Sequence, residues 1–224
     1  MRRTQWFSAV ALMCGILAGD AHADFPYINS TLKKRQVTIR KAVVLPAEVA
    51  YKRVSLKGVV GGAEESDQIA GAFYFVVTRE LAARGVEVLP NPLESAKTDA
   101  DKYAIADLQT RYDTLRMPLR KKPGRVEHGR ITLDDRVAAF TPGIGSDALV
   151  FIRADGASMY RIGSLRPDSF RAEVTFVDAK TGDVLALVRF ELIRDAAKKS
   201  EERLMNGLRD AMHDVPLPNP PTKK

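Results

Sequence analysis

Cysteine is nearly absent from this sequence. Cys14 is the only one, and it lies in an apolar stretch close to the N-terminus. A disulfide within the chain is therefore excluded, and so is any site built on several thiolates. Histidine is scarce as well. His22, His128 and His213 lie far apart, and none has a second histidine at helical spacing. No metal site and no metal ligand set are expected from them. After the N-terminal stretch, no apolar run approaches the roughly 20 residues of a membrane-spanning helix. There is no internal repeat, no Gly-x-Ser-x-Gly elbow and no Walker spacing around Gly58 to Gly62. Catalytic residues and cofactor-binding residues are accordingly expected to be none.

What is present begins with a leader. Arg2 and Arg3 precede an apolar stretch from Trp6 to Ala18, and Ala21-His22-Ala23 is a small-x-small processing site. This three-part pattern predicts a cleaved secretory signal peptide over residues 1–23 and a periplasmic mature chain starting at Asp24. Cys14 follows Leu12-Met13, a poor lipoprotein processing context, and the better site at Ala23 removes it. Of 224 residues and a net charge of +7, the leader takes 23 residues and one positive charge, leaving 201 residues and +6. That length suits a single domain with its own packed core.

Periodicity predicts a mixed α/β domain over residues 36–213, after a polar lead-in at 24–35. Ala42-Val43-Val44-Leu45, stopped by Pro46, is apolar on both faces, as in a central strand covered by helices. A helix is expected over 64–84, with Glu64, Glu65 and Asp67 in its first turn and Gly85 beyond its end. Val86 to Leu89 returns as a strand parallel to the first. Further helices are expected over 101–116, ending before Pro118, over 132–140, capped by Thr132 or Asp134, and over 196–212. Ala148 to Ile152 is a second central strand, and 155–168 reads as a loop. Phe170, Ala172, Val174 and Phe176 alternate with Arg171, Glu173, Thr175 and Val177, a half-buried strand. Lys180-Thr181-Gly182 turns it into a partner strand over Val184–Ile193. The expected architecture is a mixed β-sheet of about five strands with helices packed on it. Residues 214–224, with four prolines, are expected to form a flexible tail.

Two features could be mistaken for chemistry. Gly143-x-Gly145-x-x-Ala148 spells a dinucleotide fingerprint, but it precedes a strand, whereas the mechanism needs it to open a helix. Asp134-Asp135 and the pair Asp178 and Asp183 are explained by helix-start and turn positions. The most specific surface is instead a basic loop at 116–130. It carries Arg116, Arg120, Lys121, Lys122, Arg125 and Arg130 against one acid, Glu127. Its +5 nearly equals the excess of the whole mature chain, and its field favours contact with anionic surfaces. Export disfavours nucleic acid as the partner. An envelope protein or an anionic envelope surface is expected.

Four segments occur in a telling order: Lys41-Ala-Val-Val-Leu-Pro46, Leu81-Ala-Ala-Arg-Gly-Val-Glu-Val-Leu-Pro90, Gly145-Ser-Asp-Ala-Leu-Val-Phe-Ile152 and Val177-Asp-Ala-Lys-Thr-Gly-Asp-Val-Leu185. Together they resemble the α/β domain shared by the curli-secretion lipoprotein family and the N-terminal domain of TolB, over about residues 36–213. The resemblance implies a non-enzymatic envelope protein that assembles at, or docks to, the outer membrane. The chain departs from it in lacking a suitably placed lipidation cysteine, and no functional residue carries over. The expected function is a non-catalytic assembly or interaction module. A periplasmic carrier or sensor for a small anionic ligand, or a hydrolase with a dispersed site, are the alternatives.

Overall fold

The computed structural model describes residues 22–23, 26–55, 58–90, 96, 98–133, 137, 145–161, 164–165, 169–193 and 200–219. The signal peptide expected over 1–23 lies outside them except for its last two residues. Most of the helix expected over 132–140 lies outside them too, with Asp134, Phe140 and Gly143.

The fold is α/β with an open, mixed sheet, as the sequence predicts. Its centre is β7 (Ala148–Arg161), which is apolar at its start because both faces are covered there. On one edge β7 pairs antiparallel with β9 (Ser169–Asp178), and β9 with β10 (Val184–Ile193). The other edge holds two strands in tandem. First comes β3 (Lys41–Val44), parallel to residues 148–150, and then β4 (Glu48–Ser55), parallel to residues 153–159. Pro46 separates the two. β6 (Glu87–Leu89) lies parallel to the far side of β3. The hairpin strand β5 (Gly58–Gly61) pairs with β4, and β8 (Ser164–Leu165) with the end of β7. At the outer edge of β10 sit two short strands, β1 (His22–Ala23) and β2 (Tyr27–Ile28).

Helices cover both faces, which makes three layers. On one face lie α2 (Ala63–Ala83) and α4 (Ser200–Ala211). Phe73, Val76, Val77 and Leu81 of α2 and Leu204, Leu208 and Ala211 of α4 meet Val44, Val150, Ile152, Val174 and Phe176 there. On the other face α3 (Asp99–Lys121) lays Leu108, Tyr112 and Leu119 against Val43, Leu149, Phe151 and Val177. Gly85 follows α2 with φ +77, and Gly182 closes the β9–β10 turn with φ +76. Both are left-handed conformations that suit glycine. Asp178 fixes that turn by accepting from the backbone N–H groups of Lys180 at 2.8 Å and Thr181 at 2.9 Å.

Several segments differ from expectation, each for a physical reason. The expected loop after Leu45 contains the β4–β5 hairpin, and the expected loop at 155–168 begins as a continuation of β7 to Arg161. Strand pairing with β4 and β9 carries β7 past the apolar run that marks its core. The polar lead-in holds β2 and a short helix, α1 (Ser30–Lys33), which buries Leu32. Asn29 caps α1 by accepting from Thr31 N–H at 2.9 Å. Thr132, one of the two expected caps, bridges to Asp183 beside the hairpin turn.

Helix α3 is the largest departure. It starts at a capping box in which Thr98 and Asp101 satisfy each other's backbone N–H groups. It then runs through Pro118 to Lys121. An interior proline costs about 3 kcal/mol. The turn around it buries Leu119 and anchors two arginines in ion pairs to the sheet, which offsets that cost.

The C-terminal segment is not a free tail up to Asn219. Val215 and Leu217 are buried. Arg84, buried at the end of α2, donates from Nε to Asn219 O at 2.8 Å. It also donates from Nη1 to Met212 O at 3.2 Å and from Nη2 to Val215 O at 2.8 Å. Asn219 N–H returns a bond to Arg84 O at 2.8 Å. Sequence periodicity misses this because the segment has no repeat; one guanidinium organises it.

Candidate functional site

Where α3 crosses the sheet, β4, β7, β9 and β10 turn a charged face towards it. Strand register sets the order. One row across the strands reads Glu48, Arg153, Glu173, Arg189. The next row reads Ala50, Asp155, Arg171, Glu191. Charges alternate along the first row and along the charged part of the second, and the two rows oppose each other. Opposite charges in cross-strand positions stabilise a sheet by roughly 0.2–1 kcal/mol a pair.

Two of the six basic residues singled out in the sequence belong to this network. Arg116 and Arg120 sit one turn apart on α3 and point at the sheet. Arg116 donates from Nε to Glu173 Oε2 at 2.6 Å and from Nη2 to Asp155 Oδ2 at 2.8 Å. Arg120 donates from Nε to Glu173 Oε1 at 3.1 Å and from Nη2 to the same Asp155 oxygen. Arg189 lies 3.5 Å from Glu173 Oε1 through Nε, and its Nη2 donates to Leu119 O at 3.1 Å. Three guanidinium groups thus surround one carboxylate whose side chain is only 8% exposed. Burial pushes the Asp155 carboxyl up, but the bond from Arg120 and the charges of Arg116 and Arg120 outweigh it. The net result holds Asp155 below its ordinary value.

Arg153 anchors the neighbouring half of the network. Its side chain is 2% exposed. It donates to Asp113 Oδ1 at 2.7 Å, to Gln109 Oε1 at 2.7 Å and to Ile152 O at 3.2 Å. Glu48 lies 3.2 Å away, and burial raises its carboxyl despite Arg153. The guanidinium also stands 5.1 Å from the centre of the Tyr112 ring. Tyr112 stacks on Phe151 at 4.3 Å and shares a 2.6 Å hydrogen bond with Thr175. Burial pushes its phenol up to about 12.

Beyond the network, the remaining cations turn outward. Lys121 and Lys122 end α3, Arg125 closes a single 3-10 turn over Pro123–Arg125, and Arg130 follows. All four are exposed. Arg125 donates weakly to Arg130 O at 3.5 Å. Among the described residues no carboxylate forms an ion pair with any of these four. Val126, Ile131 and Leu133 pin the stretch from beneath. The expected basic loop is therefore split. Its first six residues are helical, Arg116 and Arg120 are engaged with the sheet, and four cations face solvent.

Space opens beside the network. A cleft of about 820 Å³ lies over the second charged row, lined by Arg120, Asp155, Glu173 and Arg189 and, at its mouth, by Lys52, Arg171 and Glu191. A smaller one of about 310 Å³, between Asp113, Arg116 and Arg153, adjoins it. Both share Ala50, Arg120 and Asp155, so the two form one trench along α3.

Sequence reading did not single out Arg153, Glu48, Asp113, Asp155 or Arg189. The signal for Arg189 alone was present. Period-two alternation places Arg171 and Glu173 on one face and repeats with Arg189 and Glu191. Among the described residues no group of three or more His, Cys, Asp or Glu side chains is placed to hold a metal ion. No described helix is long and apolar enough to cross a membrane. His128 is exposed, and the His213 ring lies 2.9 Å from Asp214 Oδ1. Gly145 takes φ +66 just before β7, a loop-to-strand position.

No protein-family model matches the chain, and no curated protein matches it in sequence. Among solved structures, lipoprotein GNA1162 from Neisseria meningitidis is similar with a TM-score of 0.39. The identity is 14%, over 77% of this chain and 93% of that one. The PelC dodecamer from Paraburkholderia phytofirmans is similar with a TM-score of 0.41. Here the identity is 6%, over 87% of this chain and 94% of that one. Likenesses this loose transfer neither partner nor function, and they do not establish a TolB N-terminal relationship.

Proposed function

We propose that the chain is an exported, non-catalytic interaction module of a bacterial cell envelope. In this reading it works in the periplasm and touches an anionic surface through Lys121, Lys122, Arg125 and Arg130. The leader pattern of Arg2-Arg3, the apolar stretch and Ala21-His22-Ala23 supports export. The observation that carries the contact is the division of labour among the six basic residues. Arg116 and Arg120 are held by Glu173 and Asp155. The other four are exposed on a backbone pinned by Val126 and Ile131. A cation cluster on a fixed backbone loses little freedom when it binds.

Lipid headgroups supply the simplest anionic surface to test. The mature chain, residues 24–224, is floated with vesicles of one-third anionic lipid and with neutral vesicles, from low to physiological salt. Binding to the anionic vesicles is expected, falling as salt screens the charges. Each basic residue near such a surface contributes about 1 kcal/mol. Lys121→Glu with Lys122→Glu should therefore reduce partitioning at least thirtyfold. Equal partitioning of this variant and the parent chain would refute the reading.

A further inference from the structure

The trench beside α3 is a second, separate feature, and the cationic stretch does not account for it. We infer that its larger cleft is a binding site for a small molecule with an anionic head, a phosphate monoester or a dicarboxylate. Charge points to this class. Lys52, Arg120, Arg171 and Arg189 line the cleft against Asp155, Glu173 and Glu191. Arg116, which lines the smaller cleft, pairs with the same two inner carboxylates. Four cations and three carboxylates line the cleft, which leaves one positive charge to be matched.

Donor geometry agrees. Each inner carboxylate is paired with at least two arginines, which offsets its charge towards a ligand. Arg189 turns its buried Nε inward to Glu173 Oε1, at 3.5 Å. Among the described residues Arg171 is held only by a 3.5 Å contact to Glu191, and it stays mostly exposed. Lys52 stands exposed at the mouth. Spare guanidinium donors in a concave, partly desolvated wall suit planar or tetrahedral oxyanions. Size agrees too, since about 820 Å³ lies within the usual range of small-ligand sites. Small side chains leave the room: Ala50 adjoins Asp155 across the strands, and Ala157 adjoins Lys52.

Thermal denaturation of the mature chain with three probes tests this: inorganic phosphate, a hexose phosphate and succinate. Sodium chloride at matched ionic strength is the reference. At least one probe should raise the melting temperature in a saturable manner beyond the salt reference. A better hexose phosphate identifies a phosphate monoester, and a better succinate identifies a dicarboxylate. Lys52→Ala and Arg171→Ala sit at the rim, away from the core, and each should weaken the apparent affinity roughly tenfold, as the loss of one charge-assisted contact does. Lys121→Glu with Lys122→Glu should leave it unchanged, which separates this site from the envelope contact. The inference is overturned if no probe exceeds the salt reference. It is equally overturned if the gain survives both rim substitutions, or if the gain disappears with the Lys121 and Lys122 variant instead.

Discussion

Replacing Arg84 by methionine removes a cation and keeps most of its volume. Three charge-assisted hydrogen bonds to Met212, Val215 and Asn219 carbonyls disappear with it. Glu80 sits beneath, with no exposed surface, held by Arg209 at 3.5 Å and by the charge of Arg84. The variant leaves Glu80 with one counter-charge fewer, and it leaves the Met212 and Val215 carbonyls only their backbone bonds from Val215 and Leu217 N–H. Removing one member of a buried charged cluster costs roughly 3–5 kcal/mol. For a chain of about 200 residues each kcal/mol moves the melting temperature about 2–4 °C, so a fall of roughly 10 °C is expected. Amide exchange at residues 212–219 should rise more than at β7, because the clamp acts on that segment directly. Arg84→Lys keeps the charge and loses the fork, and should fall between the two. A melting temperature within about 1 °C of the parent, with exchange at 212–219 unchanged, would refute the clamp.

Other outcomes follow from particular contacts. At Gly156 a Cβ would press into the Phe170 ring, which is buried and stacked on Tyr51 at 5.5 Å. Gly156→Ala should destabilise by about 1–3 kcal/mol, and Phe170→Leu should restore part of that loss in chemical denaturation. Burial raises the Glu80 carboxyl, against the opposing charges of Arg209 and Arg84. Its contribution to stability is therefore full below its unfolded value near 4.5 and is lost as pH rises through the folded value. Glu80→Gln should flatten that decline in melts taken from pH 4 to pH 8; an unchanged pH profile would exclude the assignment. Asp155 carries the opposite sign. Its value is lowered, so its contribution is present above about 3.8 and is lost as pH falls through the folded value. Asp155→Asn should remove that acid-side loss. Tyr112→Phe deletes the bond to Thr175 and should cost about 1 kcal/mol, read by urea denaturation.

The core strands were legible because burial leaves a period, whereas the β4–β5 hairpin and the short strands β1, β2 and β8 were not. Ala42 to Leu45 and Ala148 to Ile152 are apolar on both faces, and both are central. Phe170 to Val177 alternates, and one of its faces is charged. Helix α2 was legible from its acidic first turn and from Gly85. Pro118 was misleading, because local propensity marks a stop that Leu119 burial and two long-range arginine contacts override. The site was half legible. The six basic residues were visible as a charge excess, but the acids that neutralise Arg116 and Arg120 lie 35 to 57 residues further along the chain. No local window contains both sides of those pairs. The clamp at Arg84 was illegible for the same reason, since its carbonyl acceptors belong to backbone 128 to 135 residues away.

The alternating charges on the sheet also act as a vernier for strand alignment. Apolar patterning forbids a slip by one residue, because that would turn every core side chain outward. It is blind to a slip by two, which returns each side chain to its own face. Here the charges see what the core cannot. Sliding β9 by two residues along β7 sets Arg171 against Arg153 one way and Glu173 against Asp155 the other. Sliding β10 by two along β9 sets Arg189 against Arg171, or Glu191 against Glu173. Every such error meets a like charge, so the charged face selects one alignment from a set the core alone treats as equal.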